Sequence, residues 1–260
     1  MSEMKTSISD GYYPDKILIR GYRIDELMKK KNFVDVIFLT IFGRLPTEAE
    51  SRVLNAILVS SVDHGFAPSA LTSRLVIGAA PEAFQGAIAA GILCIGELHG
   101  GAIEGCAKML QEGVARAEKE GKDLKEIAEK IVHDYWVGGK VIPGIGHPFH
   151  KVDPRVEPLF EIARDAGFPT KHVELLKAIR EIMERDYGRK LPINIDGATG
   201  AIISDMGIDY RLGKAFFIMS RVVGLVAHTY EEIKRPAMGL IRDVARSKYK
   251  YDGPAERVLE

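Results

Sequence analysis

Apolar residues recur at steps of three and four along almost every long stretch of this 260-residue chain. Phe33, Val34, Ile37, Phe38 and Ile41 are one example, and this spacing is that of a single buried face of an α-helix. No run of alternating β-branched residues is closed by a hairpin dipeptide, which is the usual signal of paired strands. The pattern therefore predicts a nearly all-α fold.

Capping and stop residues mark individual helices. Pro46 precedes Thr47 and Glu50, a capping-box sequence in which the threonine and glutamate side chains each accept a backbone N–H of the first helical turn. Gly138-Gly139 and Gly188 are stop signals. The Ala- and Gly-rich segment 81–96 predicts a closely packed central helix. Further helices are predicted over residues 103–120, 124–137, 157–166, 172–187, 198–206 and 212–233.

Composition narrows the classes of partner. Lys plus Arg and Asp plus Glu are both 36, so no overall field favours nucleic acid or an anionic membrane. Cys94 and Cys106 lie in apolar or small-residue contexts, as expected for core cysteines in a reducing compartment. The N-terminal stretch lacks a secretory h-region, and the apolar run 86–96 is too short to span a bilayer. We therefore expect a cytoplasmic protein without nucleic-acid or membrane partners.

Three separated glycine-rich segments each carry one ionisable residue: His99 in 98–102, His147 in 143–147 and Asp196 in 194–197. A hydrogen-bond donor at a carbonyl oxygen and a base at the neighbouring carbon are what enolate chemistry requires. Each residue also has a structural interpretation. Local sequence favours Asp196 as the N-cap of a helix over residues 198–206 rather than as a functional carboxylate.

Other site classes are disfavoured. Gly144-Ile145-Gly146 lacks the third glycine of a dinucleotide fingerprint, and Gly138-Gly139-Lys140-Val141 lacks the Ser or Thr of a P-loop. No pair of histidines has the helical His-x-x-x-His spacing of a metal site, so we expect no metal. His228, in an apolar run, is interpreted as a core histidine with one hydrogen-bond partner.

Three arginines stand at positions that require a partner. Arg155 follows Asp153-Pro154, Arg221 interrupts the apolar run 215–223, and Arg235 precedes Pro236. A guanidinium in an apolar helix needs a carboxylate or phosphate, because a buried unpaired charge is very costly. The partner is either an internal Asp or Glu or a carboxylate of a ligand.

Taken in chain order, these pieces resemble the citrate synthase superfamily across essentially the whole chain. Residues 98–102 resemble the HGGA motif of this superfamily, and residues 143–147 with 153–155 resemble its GxGH to DPR signature. Further similarity lies in residues 18–27, 42–47, 63–64, 194–196, 220–224, 235–236 and 251–254. The resemblance implies an all-α, citrate synthase-like fold in a compact short form. It also implies a large helical domain of residues 1–102 and 197–260 and a small one of residues 103–196.

The resemblance implies a role for each site residue. His147 binds oxaloacetate at its ketone oxygen together with His64, His99 hydrogen-bonds the thioester oxygen of acetyl-CoA, and Asp196 is the base at the acetyl methyl. Three arginines hold carboxylates, namely Arg155, Arg221 and Arg235. Arg235 reaches in from the other subunit of a dimer. The loop that lies against the adenine of coenzyme A comprises Val141, Ile142, Pro143, Gly144, Ile145 and Gly146. The resemblance also implies Arg189 and Lys190 as partners of the coenzyme A phosphates.

Two departures indicate which member of the superfamily this chain resembles. Between Pro46 and His64 it has one short helix where citrate synthases insert several, and after Asp196 it has Gly197-Ala198-Thr199-Gly200 in place of an aromatic pair. Both are similar to free-standing citryl-CoA lyases and to the citryl-CoA lyase module of ATP-citrate lyase.

This resemblance implies cleavage of citryl-CoA to acetyl-CoA and oxaloacetate, with a coenzyme A thioester as substrate and no tightly bound cofactor. It also implies a homodimer or higher homo-oligomer and a citryl-CoA synthetase as a possible partner. A citrate or methylcitrate synthase that condenses an acyl-CoA with oxaloacetate is the first alternative. An inactive coenzyme A-binding scaffold is the second.

Overall fold

The computed structural model describes residues 4–97 and 99–259. Within these residues, helices dominate and the only strands are three pairs of residues in an antiparallel ribbon, β1 (Ser9–Asp10), β2 (Leu18–Ile19) and β3 (Tyr22–Arg23). The prediction of an all-α fold is confirmed. The helices are α1 (Ile24–Lys30), α2 (Phe33–Phe42), α3 (Glu48–Ser60), α4 (Pro68–Ala79), α5 (Phe84–Leu93), α6 (Ala102–Glu120), α7 (Leu124–Val137), α8 (Val156–Asp165), α9 (Lys171–Tyr187), α10 (Ile195–Asp205), α11 (Gly213–Lys234) and α12 (Met238–Lys248), with a 3-10 turn at Tyr210–Leu212.

The capping box predicted for α3 is present. The Thr47 hydroxyl accepts the Glu50 amide at 3.1 Å, and the Glu50 carboxylate accepts the Thr47 amide at 2.8 Å. Arg44 donates to both Glu50 oxygens at 2.9 and 2.5 Å, which lowers the pKa of Glu50 to about 2. The predicted helices do not include α4 and α12, although α4 begins with Pro68, a residue favoured in the first turn of a helix.

The chain packs into two compact units. One contains Met1–Ser61 and Gly100–Met219, and the other contains Val62–His99 and Ser220–Glu260. In the first unit α10 packs on α6, where a Cβ at Gly200 would lie 3.1 Å from the Ala107 amide nitrogen and the Ile103 oxygen. The predicted large domain of residues 1–102 and 197–260 and small domain of residues 103–196 stay a prediction.

The central helix is α10 rather than the predicted helix of segment 81–96. Every residue of α10 from Gly197 to Asp205 is buried, whereas α5, which that segment forms, buries only Ala87 and Gly91. Leu93 at the end of α5 is 86% exposed. The small residues of segment 81–96 correctly indicated close packing, which Gly91 makes against Ser69 and Ser73. They did not indicate which helix is buried along most of its length.

Among the described helices, the segment 210–234 containing α11 is long and apolar enough to cross a membrane by length and composition, with 44% of its apolar window buried. Core helices of water-soluble proteins meet the same criteria. Glu232 of α11 is 1% exposed and pairs with the buried Arg74 at 2.9 Å. A buried charge requires a partner, and the Arg74–Glu232 pair joins α11 to α4 inside the protein.

Candidate active site

Asp196 is the second residue of α10 and does not cap it. The N-cap is Asn194, whose side-chain oxygen accepts the Gly197 amide at 3.0 Å. The buried Asp153 carboxylate accepts a second N-terminal amide, that of Ile195, at 3.0 Å. The interpretation of Asp196 as a cap is therefore wrong, and other side chains satisfy these amides. A carboxylate at this position lies in the favourable field of the helix N-terminus.

The predicted coenzyme A loop lies directly against the start of α10. A Cβ at Gly197 would lie 2.3 Å from the Gly144 carbonyl oxygen, and Gly144 itself has φ +85. The Asn194 amide donates to Gly144 O at 3.1 Å, and the Asn194 side chain donates to Gly146 O at 2.7 Å. Only glycine at both positions allows this approach. The structure thus brings the loop and Asp196 together.

The same loop lines a cavity of about 420 Å³. Ile142 and Ile145 are buried in its wall. The ring centroids of Trp136 and Tyr187, in the last turns of α7 and α9, are 4.6 Å apart, and the Arg189 guanidinium lies over Trp136 at 5.8 Å. The further lining residues are Val132, Tyr135, Gly139, Lys140, Val141, Met183 and Leu191. Lys190 is not among them: its side chain is 80% exposed and pairs with Glu184 at 3.5 Å.

His147 has one ring nitrogen committed to the backbone. Its Nδ1 accepts the amides of Phe149 at 3.1 Å and His150 at 2.9 Å. Because a backbone N–H can only donate, Nδ1 carries no proton and the neutral ring carries it on Nε2. His147 therefore presents a donor. This half-buried ring also lies 4.2 Å from the ring of His150.

Arg155 has an internal carboxylate partner. Its Nε and Nη2 each donate to Asp153 at 2.8 Å, and its Nη1 donates to the Ser60 carbonyl at 3.3 Å. Asp153 is buried, which opposes ionisation, but the Arg155 side chain and backbone and the Ile195 amide hold its pKa below the usual range. Asp153 therefore connects Arg155 with the first residue of α10.

The second unit holds His64, His99, Arg221 and Arg235. His99 is half-buried, and its Nε2 lies 2.8 Å from the Ser69 hydroxyl. Burial, and then the charge of Arg221, lower the pKa of His99, so its neutral form is favoured. Arg221 is 2% exposed. Leu98, which directly precedes the HGGA-like residues 99–102, lies outside the described residues.

His64 and Arg235 lie at the surface of this unit. His64 is exposed, in a loop before α4. The Arg235 side chain is 81% exposed and lies 3.5 Å from Glu231.

Residues 46–243 match the family model described as citrate synthase, C-terminal domain, which is most of the chain. The chain belongs to the citrate synthase family.

Individual relatives within this family differ in length. The chain is 30% identical over 221 residues to citrate synthase 2 of Bacillus subtilis (strain 168), covering 83% of this chain and 54% of the relative. It thus spans about half the length of that curated relative. A solved citryl-CoA lyase from Hydrogenobacter thermophilus has 39% identity and a TM-score of 0.87, covering 99% of this chain and 97% of that one. An ATP citrate lyase from Methanothrix soehngenii, solved with citrate and coenzyme A, has 25% identity and a TM-score of 0.78, covering 98% and 42%.

For this member of the citrate synthase family, sequence reasoning missed several residues beside the predicted ones. Asp153 was seen only as part of a motif, although it orders both Arg155 and the start of α10. Trp136 and Tyr187 were not singled out, although they lie two residues and one residue before the predicted glycine stops Gly138 and Gly188. Ser69, which contacts His99, carries no local signal because the two residues are 30 positions apart.

Proposed function

We propose that this protein is a citryl-CoA lyase, which cleaves citryl-CoA to acetyl-CoA and oxaloacetate. The observation that carries the proposal is the likeness to a citryl-CoA lyase, at 39% identity and a TM-score of 0.87 over 99% of this chain and 97% of that one. The close contact between Gly197 and Gly144 supports this proposal. A side chain at Gly197 would clash with the Gly144 carbonyl oxygen, so the aromatic pair expected after the catalytic aspartate of citrate synthases does not fit at this position.

In this proposal the bond between the terminal CH2 and the hydroxyl-bearing carbon breaks. The tertiary hydroxyl gives its proton to solvent water, oxaloacetate forms, and the bonding electrons pass into the thioester as an enolate. Asp196, in its acid form, protonates the terminal carbon to give acetyl-CoA, and it regains a proton from water before the next cycle. His147 donates from Nε2 to the oxygen that becomes the oxaloacetate ketone, which is the role its tautomer supports.

We assign the enolate oxygen to His99. A neutral imidazole whose Nε2 accepts the Ser69 hydroxyl proton has an N–H at Nδ1 to donate, and the lowered pKa of His99 favours the neutral ring. His64, Arg155, Arg221 and Arg235 are assigned to the ketone and the carboxylates of the oxaloacetate moiety. The adenine of coenzyme A is assigned to the cavity beside Ile142 and Ile145. Arg189, which lines this cavity, and Lys190, which lies outside it, are assigned to the coenzyme A phosphates.

Product analysis with purified citryl-CoA tests the proposal. A lyase releases acetyl-CoA and oxaloacetate, which malate dehydrogenase and NADH detect, and releases no free thiol. A positioned acid is worth about 10²- to 10⁴-fold and an oxyanion donor about 10²- to 10³-fold in rate. Asp196→Asn and His99→Gln should each therefore lower kcat at least about a hundredfold. His133→Gln, which replaces an exposed histidine of α7, is the matched control and should keep full activity.

Near-normal cleavage by either active-site variant would overturn the assignment. Citrate and free coenzyme A as products would instead support a citrate synthase, the second candidate, which the 30% identity to citrate synthase 2 favours. Coenzyme A binding without turnover of citryl-CoA, or of acetyl-CoA with oxaloacetate, would support an inactive scaffold.

We also propose that the protein is a homodimer or higher homo-oligomer. Val223, Val226, Tyr230 and Ile233 are 39–59% exposed at steps of three and four, and so form an apolar stripe along α11. We infer that a second copy covers this stripe and that Arg235, just beyond it, serves the neighbouring copy's substrate. Citryl-CoA would come from a separate citryl-CoA synthetase.

A further inference from the structure

The loop of residues 62–67, which carries His64, is held in shape by the residue before the histidine. Asp63 Oδ2 accepts the Gly65 amide at 2.9 Å, which closes a turn around His64. Gly65 has φ +66, a conformation that glycine adopts without strain. The backbone of His64 is therefore fixed by the Asp63 carboxylate.

The other oxygen of this carboxylate is held by α11. Asp63 Oδ1 lies 3.0 Å from His228 Nε2, and the His228 side chain is only 12% exposed. One turn earlier on the same helix face, a Cβ at Gly224 would lie 2.4 Å from the Val62 carbonyl oxygen and 3.0 Å from Asp63 Oδ1. The absence of a side chain at Gly224 is what lets the loop reach His228.

A third residue determines which nitrogen of His228 faces Asp63 as a donor. Arg74 Nε donates to His228 Nδ1 at 3.0 Å. A guanidinium has no acceptor and keeps its charge, so Nδ1 accepts and the proton of the neutral ring is on Nε2, facing Asp63. The buried Arg74 is itself fixed by Glu232 at 2.9 Å and by Glu231.

The far side of the loop is held by the same two residues. The Arg74 guanidinium lies over the Phe66 ring at 5.1 Å, and the His228 ring centroid lies 5.9 Å from that of Phe66. Asp63, one residue before His64, is thus held by His228, and Phe66, two residues after it, contacts both Arg74 and His228. The interpretation of His228 as a core histidine with a single partner is wrong, because its two ring nitrogens have different partners.

We propose that His228, oriented by Arg74, is a positioning residue for His64: it holds Asp63 so that the turn presents the His64 imidazole to the oxaloacetate moiety. This rests on the proposed function, since it takes His64 as a ligand of that moiety. His228 does not touch the substrate. Its effect on binding passes through the Asp63 carboxylate and the turn that this carboxylate closes.

Two substitutions separate positioning from packing. His228→Gln places an amide NH2 near the original Nε2, where it still donates to Asp63. His228→Asn places an amide near Nδ1, where its oxygen still accepts from Arg74 but nothing reaches Asp63. We expect calorimetry on the full chain to give an oxaloacetate Kd within about threefold of wild type for the Gln variant. The Asn variant should bind roughly ten- to a hundredfold more weakly, the factor for a lost hydrogen bond to a charged group. In turnover of citryl-CoA, KM should rise more than kcat falls.

Hydrogen exchange at the Gly65 amide provides a readout that needs no substrate. Exchange should be slow in wild type and in the Gln variant and faster in the Asn variant. Equal oxaloacetate affinity and equal Gly65 exchange in the two variants would overturn the proposal. If wild type binds no oxaloacetate and turns over no substrate, the proposed function fails, while the Gly65 comparison still decides whether His228 orders the turn.

A substitution on the exposed loop covers the case in which the Asn variant does not fold. Asp63→Ala removes the acceptor of both the His228 and the Gly65 hydrogen bonds without changing a buried residue. It should weaken oxaloacetate binding as much as His228→Asn and speed Gly65 exchange. Wild-type affinity and exchange in Asp63→Ala would equally overturn the proposal.

Discussion

At the scale of single residues, Gly197 and Gly144 determine how closely the predicted coenzyme A loop, residues 141–146, approaches the start of α10, which bears Asp196. A Cβ at Gly197 would lie 2.3 Å from a backbone oxygen, a distance that no flexible side chain can relieve. The loop would have to move as a unit, which would break the hydrogen bonds that the Asn194 amide and side chain donate to Gly144 O and Gly146 O. In the sequence, Gly197 contributed only to the family resemblance. In the structure, its lack of a side chain allows the contact with Gly144.

The lowered pKa of His99 predicts how the stability of the protein depends on pH. In the unfolded chain it titrates near its ordinary pKa of 6.5, whereas in the folded protein burial and Arg221 lower that pKa. Below about pH 6.5 the unfolded state therefore binds more protons, and the free energy of unfolding falls as the pH is lowered towards the folded-state pKa.

Urea unfolding at pH 7.5 and 5.5 measures this effect. Wild type and the exposed-site control His133→Gln should lose more stability between the two values than His99→Gln does. An equal loss in all three proteins would show that His99 is not the source.

At the scale of elements, helix termini carry much of the local order of the candidate site. The first amides of α10 are satisfied by the side chains of Asn194 and Asp153, and Asp153 also pairs with Arg155. One buried carboxylate thus couples an arginine to the helix that bears Asp196.

The N-terminus of α3 allows a stability prediction remote from the site. Thr47→Ala removes the hydroxyl that accepts the Glu50 amide, and loss of such a cap costs about 1 kcal/mol, with a range of about 0.5 to 2. Thr47→Ser keeps the hydroxyl and should remain close to wild type. The free energy of unfolding from urea titrations measures the difference. Equal stability of the Ala and Ser variants would contradict the prediction.

At the scale of the whole molecule, the apolar stripe on α11 predicts self-association. Tyr230→Glu places a charge in the middle of the stripe and should shift the protein towards monomer, because burying an unpaired charge in an interface is very costly. Light scattering coupled to size-exclusion chromatography measures the mass. Met28→Glu, at a 78% exposed position of α1, is the control and should leave the mass unchanged. A wild-type monomer, or an unchanged mass in Tyr230→Glu, would exclude this interface.

The sequence by itself determined the helical class, the α3 capping box and the family, because helical period, capping residues and motif order are written in short stretches of chain. Tertiary structure alone decided that Asn194 rather than Asp196 caps α10, that Asp153 pairs with Arg155, and that His228 joins Arg74 to Asp63. The Arg74–His228 and Asp63–His228 contacts join residues 154 and 165 positions apart. Separations of this size leave no periodic signal. The choice between two chemically reasonable partners is made only when packing brings one of them within hydrogen-bonding distance.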